Sequence, residues 1–219
     1  MLNLFKPTLF AGLMVILFGC NKNNDPAPVF TNGTAKVTTT GTVANVVGAT
    51  ISDYAINLEN IRFRTIPNDP LLPDNTIQVA KLVGPFMLSL VGATPGDLIP
   101  STPLPDATYE VVKFDLVRGK QAPMVGSTIW IKGTIGTTPF EMWHDSEPTW
   151  QDNFATNMVV NGNVVNFGIE FTLDGFDFSV ATDGDGDGLI EINPNDPDGN
   201  NTVADDILAH IKNNFKTTF

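Results

Sequence analysis

The stretch Asp183-Gly-Asp-Gly-Asp-Gly-Leu-Ile-Glu-Ile-Asn193 sets three carboxylates on alternate residues with glycine between them. A hard cation such as Ca2+ takes six to eight oxygen ligands in a tight turn, and this pattern offers them. With Asp183 as the first position of an EF-hand loop, Asp185, Asp187, Gly188 and Leu189 fill the expected places. The last, bidentate position then falls on Pro194, which has no side-chain oxygen. The preceding "FDFSVA" reads as strand where an EF-hand needs a helix. The calcium reading is therefore a loop of another kind. Its ligands would be Asp183, Asp185 and Asp187, the Leu189 carbonyl, and Glu191, Asn193 or Asp196. The competing reading is an acidic turn, since Asp-Gly pairs turn easily and negative charge ahead of a helix complements its dipole.

The segment Phe140-Glu-Met-Trp-His-Asp-Ser-Glu-Pro-Thr-Trp150 is the one place where histidine, carboxylates and tryptophan meet. Catalysis there would need a nucleophile activated by His144, or two carboxylates held across a bond, and proximity in sequence provides neither. One histidine without an H-E-x-x-H pattern does not make a zinc set. The expectation is a strand running into a polar loop, with Trp143 in the core and His144 exposed. The alternative is a glycan platform on Trp143 and Trp150. His210 reads as a solvated or edge position. The chain has neither a G-x-x-x-x-G-K-[ST] phosphate loop nor a G-x-S-x-G elbow, and no enzyme is expected.

The elements that must position these residues are mostly strands. Val165, Phe167, Ile169, Phe171 and Leu173 alternate with polar or small residues, giving one buried and one wet face. The same period appears at 109–116, 127–135 and 138–143, the last two joined by a tight turn at Gly136-Thr137. In 54–63 the apolar parity slips between Leu58 and Ile61, which predicts a β-bulge near Glu59 and Asn60. Further strands are expected at 34–43, 77–83, 86–90, 157–160 and 176–180. The proline-rich stretches 66–75 and 94–107 are restricted to edges or loops. One helix is expected over 202–216, with Thr202 as N-cap and Val203, Ile207, Leu208, Ile211 and Phe215 on one stripe. The fold class expected is mainly β, an antiparallel sandwich with one C-terminal helix, in a single domain over 34–219.

The N-terminus and the charge give an address. Residues 8–19 form an uncharged apolar run of 12 residues, short of the roughly 20 that span a bilayer, and read as the core of a signal peptide over 1–19. Leu17-Phe18-Gly19-Cys20 resembles the lipobox of bacterial lipoproteins, which implies lipidation of Cys20, the only cysteine. Residues 20–33 read as a polar tether. With 12 basic against 24 acidic residues, the chain carries a formal charge of −12. Such a surface repels phosphate backbones and excludes nucleic acid as a partner.

The segments "KLVGPFMLSLVG", "LPDATYEVVKFDLVRG", "IKGTIGTTPFEMW", "NVVNFGIEFTLDGF" and "NPNDPDGNNTVADDILAHIKNNF", read in order, resemble a family of uncharacterised bacterial outer-membrane lipoproteins. That resemblance implies a prealbumin-like or carboxypeptidase-regulatory-like β-sandwich and an outer-membrane address on either leaflet. It implies no catalytic residues. The expected role is a lipid-anchored, non-catalytic binding or structural protein, stabilised by Ca2+ in one reading. The alternatives are a carbohydrate-binding module of a glycan-uptake system and a fimbria-like subunit or adhesin with a protein partner at the cell surface.

Overall fold

The computed structural model describes residues 32–72, 79–92, 96 and 98–219. The signal segment, Cys20 and residues 20–31 of the tether lie outside the described residues. Its last two residues, Asn32 and Gly33, open β1.

The strands are β1 (Asn32–Thr42), β2 (Ala49–Thr65), β3 (Val79–Leu82), β4 (Phe86–Val91), β5 (Thr102–Pro105) and β6 (Ala107–Leu116) in the first half. The second half adds β7 (Ile129–Ile135), β8 (Thr138–His144), β9 (Thr149–Val160), β10 (Val164–Thr172), β11 (Ile190–Ile192) and β12 (Lys216–Thr218). The α-helix α1 (Asn201–Asn214) packs on β8, β10 and β11. One sheet has the order β12-β10-β1-β5 and the other β11-β8-β7-β2-β6-β9, with β3 and β4 also pairing to β2. The protein is thus mainly β with one helix, as the alternating patterns imply.

Both sheets are mixed, which corrects the antiparallel expectation. β1 pairs with β10 in parallel, and so does β8 with β11. Parallel neighbours need a long crossover to bring the chain back to the same end. Here more than a hundred residues separate β1 from β10, and period-two patterning is blind to that direction.

The 17-residue β2 is the hub. It pairs with β7 and β4 in its first part and with β6 and β3 in its second. The predicted bulge is present: the β2–β6 register shifts between Glu59 and Arg62, and Asn60 takes φ 54°. Asn60 and Arg62 both bond Asp115 across the bulge, and Thr149 bonds the same carboxylate from β9. β7 and β8 are joined at Gly136-Thr137 with Ile135 opposite Thr138 and Gly136 at φ 61°, the left-handed conformation a two-residue hairpin demands.

One core draws on both sheets. Phe63 of β2 meets Phe167 of β10 edge-on at 4.9 Å, and Phe114 of β6 meets Phe171 at 5.9 Å. All five alternating residues of 165–173 are buried. Edge-to-face pairs of this kind add to the burial of their apolar area. The helix contributes Ala204, Ile207 and Ile211.

Three local expectations change. β9, an edge strand paired to β6, begins at Thr149 rather than Asn157; in its first half only Trp150 and Phe154 are large apolar residues, so the letters there show little period two. The 176–180 segment makes a single bridge, Val47 to Asp177, and then a 3-10 turn. Its cause is Asp177, whose carboxylate accepts the Ser179 N–H and turns the chain. The helix starts one residue before Thr202, with Asn200 at the N-cap position but making no side-chain cap bond, and ends at Asn214. As expected of the proline-rich stretch 94–107, the short strand β5 within it sits at the sheet edge, where the missing N–H groups of Pro103 and Pro105 are tolerated.

Candidate metal centre and aromatic pocket

The acidic loop is fastened before any cation is considered. Ile190 and Ile192 are buried, and β11 lies parallel to β8 with Glu191 opposite Glu141. Asn200, 4% exposed, accepts the Thr182 N–H and donates to the carbonyls of Thr182 and Glu191. One side chain therefore ties both ends of the 182–191 segment. Gly186 and Gly188 lie at φ 79° and 92°, which lets the chain curl between the aspartates.

Within this frame Asp183, Asp185 and Asp198 converge, each offering a carboxylate oxygen within 4.8 Å of the others. Oxygens bound to one Ca2+ ion at about 2.4 Å lie no more than about 4.8 Å apart, a limit the trio meets. Asp183 accepts the N–H groups of Gly186 and Gly188, and Asp185 that of Asp187. Asp198 accepts from Gly184, Asp185 and Glu191. Each ionised carboxylate oxygen has two lone pairs, so these bonds shape the ligands and still leave acceptor sites. At Gly184 an added Cβ would stand 2.3 Å from the Asp198 carbonyl oxygen, so only glycine lets the two arms of the loop touch.

Of the residues expected from sequence, the structure brings together Asp183 and Asp185. Asp187 lies outside that trio, with its carboxylate on the Leu189 N–H. Asn193 is buried and accepts from Asn195, shaping the return of the loop. Glu191 feels the cluster: burial, then Asp198, Asp196, Asp187 and Asp185, hold its carboxyl above the ordinary range. Asp198 is held below it, chiefly by the Glu191 N–H and against partial burial. Sequence reasoning missed Asp198. Its signal was the second acidic run, Asn195-Asp-Pro-Asp-Gly199, in the same loop.

The histidine and tryptophan segment is corrected in three places. Phe140, Met142 and His144 point inward along β8, so His144 is 2% exposed and Trp143 points outward, half-buried. Period two dictates this parity once Phe140 is placed in the core. The His144 Nδ1 accepts the Ser146 N–H at 3.0 Å, which puts the proton on Nε2, 3.0 Å from Asp205 of the helix. Trp150 is buried, stacked on Phe215 at 5.8 Å, and is a core residue rather than part of a surface platform. His210, expected at an edge, bonds the Asp174 carbonyl and packs against Phe176.

What Trp143 does face is Trp130, its cross-strand partner on β7. The two rings lie in a small cluster outside the main core, with Ala55, Met87 and Met124. The Trp130 Nε1 donates to Glu141 at 2.6 Å, and Lys132 lies 5.1 Å from its ring centre while pairing with Glu141 at 3.3 Å. The loop 117–128 covers this cluster. Asn57 holds both of its ends, donating from its backbone to Thr128 and from its side chain to Val117. A cavity of about 350 Å3 opens between this loop and β8.

No helix among the described residues is long and apolar enough to cross a membrane. No protein-family model, no curated protein and no solved structure matches the chain, so both sites stand on their own geometry.

Proposed function

We propose that this is a lipid-anchored protein of the bacterial cell envelope, non-catalytic, with a binding or structural role, whose β-domain is stabilised by Ca2+. The observation that carries the calcium reading is the convergence of Asp183, Asp185 and Asp198 within 4.8 Å. Three carboxylates so close repel one another, and a divalent cation converts that repulsion into attraction. Asp198 takes the place that the sequence pattern assigned to Asp187, and Glu191 lies beside the trio as a further oxygen source. The anchor rests on Cys20 in its lipobox-like setting. We read the two sheets as the layers of a prealbumin-like sandwich, a reading supported by the ring contacts between them.

The test is thermal unfolding in Ca2+ and in chelator. A ligand that binds only the folded state raises stability with the logarithm of its concentration over Kd. The expected result is a Tm that rises with Ca2+ and a rise that is absent in D185A/D198A. A Tm indifferent to Ca2+ would leave the loop as an acidic turn ahead of α1. Incorporation of labelled fatty acid by the wild type and not by Cys20→Ser checks the anchor separately.

A further inference from the structure

We infer that the cavity beside Trp143 is a binding site for a neutral saccharide. It lies between Pro123–Ser127 of the covering loop and Trp130, Glu141, Trp143 and Asp145 of the β7–β8 hairpin and the turn after it. Its volume, about 350 Å3, falls at the lower end of the about 300–1,000 Å3 typical of small-ligand sites.

The walls are pre-set. Glu141 fixes the Trp130 indole at 2.6 Å, and Asp145 is clamped by Arg118, whose guanidinium bonds both its carboxylate at 3.1 Å and its carbonyl at 2.9 Å. The covering loop is braced by the bonds Gly119 to Ser127 and Gly126 to Gly119. A site held in this way loses little freedom when a ligand enters.

Charge selects the ligand. Both carboxylates on the rim are already paired, Glu141 with Lys132 and Asp145 with Arg118. A cation finds no unneutralised carboxylate, and an anion approaches a chain of formal charge −12. A purely apolar ligand would cover the Glu141 and Asp145 oxygens without bonding them, which costs free energy. A sugar ring satisfies both surfaces. Its C–H face covers the half-buried Trp143 ring, and its hydroxyls donate to the remaining lone pairs of the carboxylates. Trp130 replaces Trp150 as the second ring of the site, because it shares the outer face of the hairpin with Trp143.

This inference does not depend on the anchor or on calcium. The experiment is native affinity electrophoresis of the full chain through gels containing a soluble β-1,4-glucan, α-1,4-glucan, galactomannan, polygalacturonate or a polycationic glycan, all in Ca2+-containing buffer. Retardation by at least one neutral polymer is expected, weakened about tenfold or more in W143A, which loses the stacking surface. Val125 stands on the rim with 67% exposure and belongs to neither hydrophobic cluster among the described residues. V125W, which narrows the mouth, is expected to weaken retardation as well and keeps the test decisive if W143A does not fold. No retardation by any neutral polymer overturns the inference. So does retardation only by a charged polymer, or retardation unchanged in V125W. The calcium response of Tm, measured on the same variants, separates a failure of this site from a failure of the acidic loop.

Discussion

Trp150 shows how one residue serves the fold rather than a ligand. Its ring stacks on Phe215 just past the helix and meets Phe114 of β6 at 6.0 Å. It therefore welds the β9 edge to the C-terminal helix. Its Nε1 is buried with no hydrogen-bond partner among the described residues, a cost the packing has to outweigh. Truncation to alanine removes the ring and leaves a cavity, so W150A should lose about 3–5 kcal/mol in urea unfolding with an unchanged m-value. W150F keeps a ring and deletes the orphan donor, and should lose clearly less. Equal losses would mean that the indole nitrogen has a partner after all. Trp143 behaves oppositely, since its outward ring contributes little to the core.

At the scale of elements, the acidic loop is held from three sides: β11 on β8, Asn200 across its ends, and glycine at its crossing point. Gly184 is the sharpest of these constraints because a methyl group there would overlap the backbone of Asp198. G184A should push the Asp198 arm away and abolish the Ca2+-dependent rise in Tm, while the Tm in chelator falls only modestly. If G184A kept the full calcium response, the trio would not be the ligand set. The His144–Asp205 bond works at the same scale, tying the inner face of β8 to the second turn of α1. Strand, loop and helix thus meet around one corner of the molecule.

At the scale of the molecule, the proposed Ca2+ would compete with protons for the same carboxylates. Glu191 has its folded pKa raised, so the folded state holds that proton more tightly than the unfolded one. The stability this contributes is present below the ordinary value of 4.5 and is lost as pH rises through the raised folded value. Asp198 runs the other way: its lowered pKa gives stability above the ordinary 3.8 that disappears as pH falls further. On the calcium reading, the cation takes the place of the proton at the cluster once Glu191 is ionised. The Tm difference between Ca2+ and chelator should therefore be large at pH 7 and shrink toward pH 4.5. A difference independent of pH across that interval would exclude carboxylate ligation.

The amino-acid pattern alone makes this chain mainly β with a terminal helix. The period-two runs at 109–116, 138–143 and 165–173 can bury their apolar residues only as strands, and the bulge at Glu59-Asn60 follows from a parity slip visible in the letters. It also determined where an acidic loop must lie. Strand direction, the partners of β2 and the convergence on Asp198 were not legible, because each depends on groups far apart in the chain whose meeting is decided by packing. The same holds for the two tryptophans. Trp143 and Trp150 look alike in sequence, yet β8 turns one outward and β9 turns the other into the core. Trp130 becomes the partner of Trp143 only because two strands pair in register across Gly136-Thr137, and side-chain contact across a sheet exists only once that register is set.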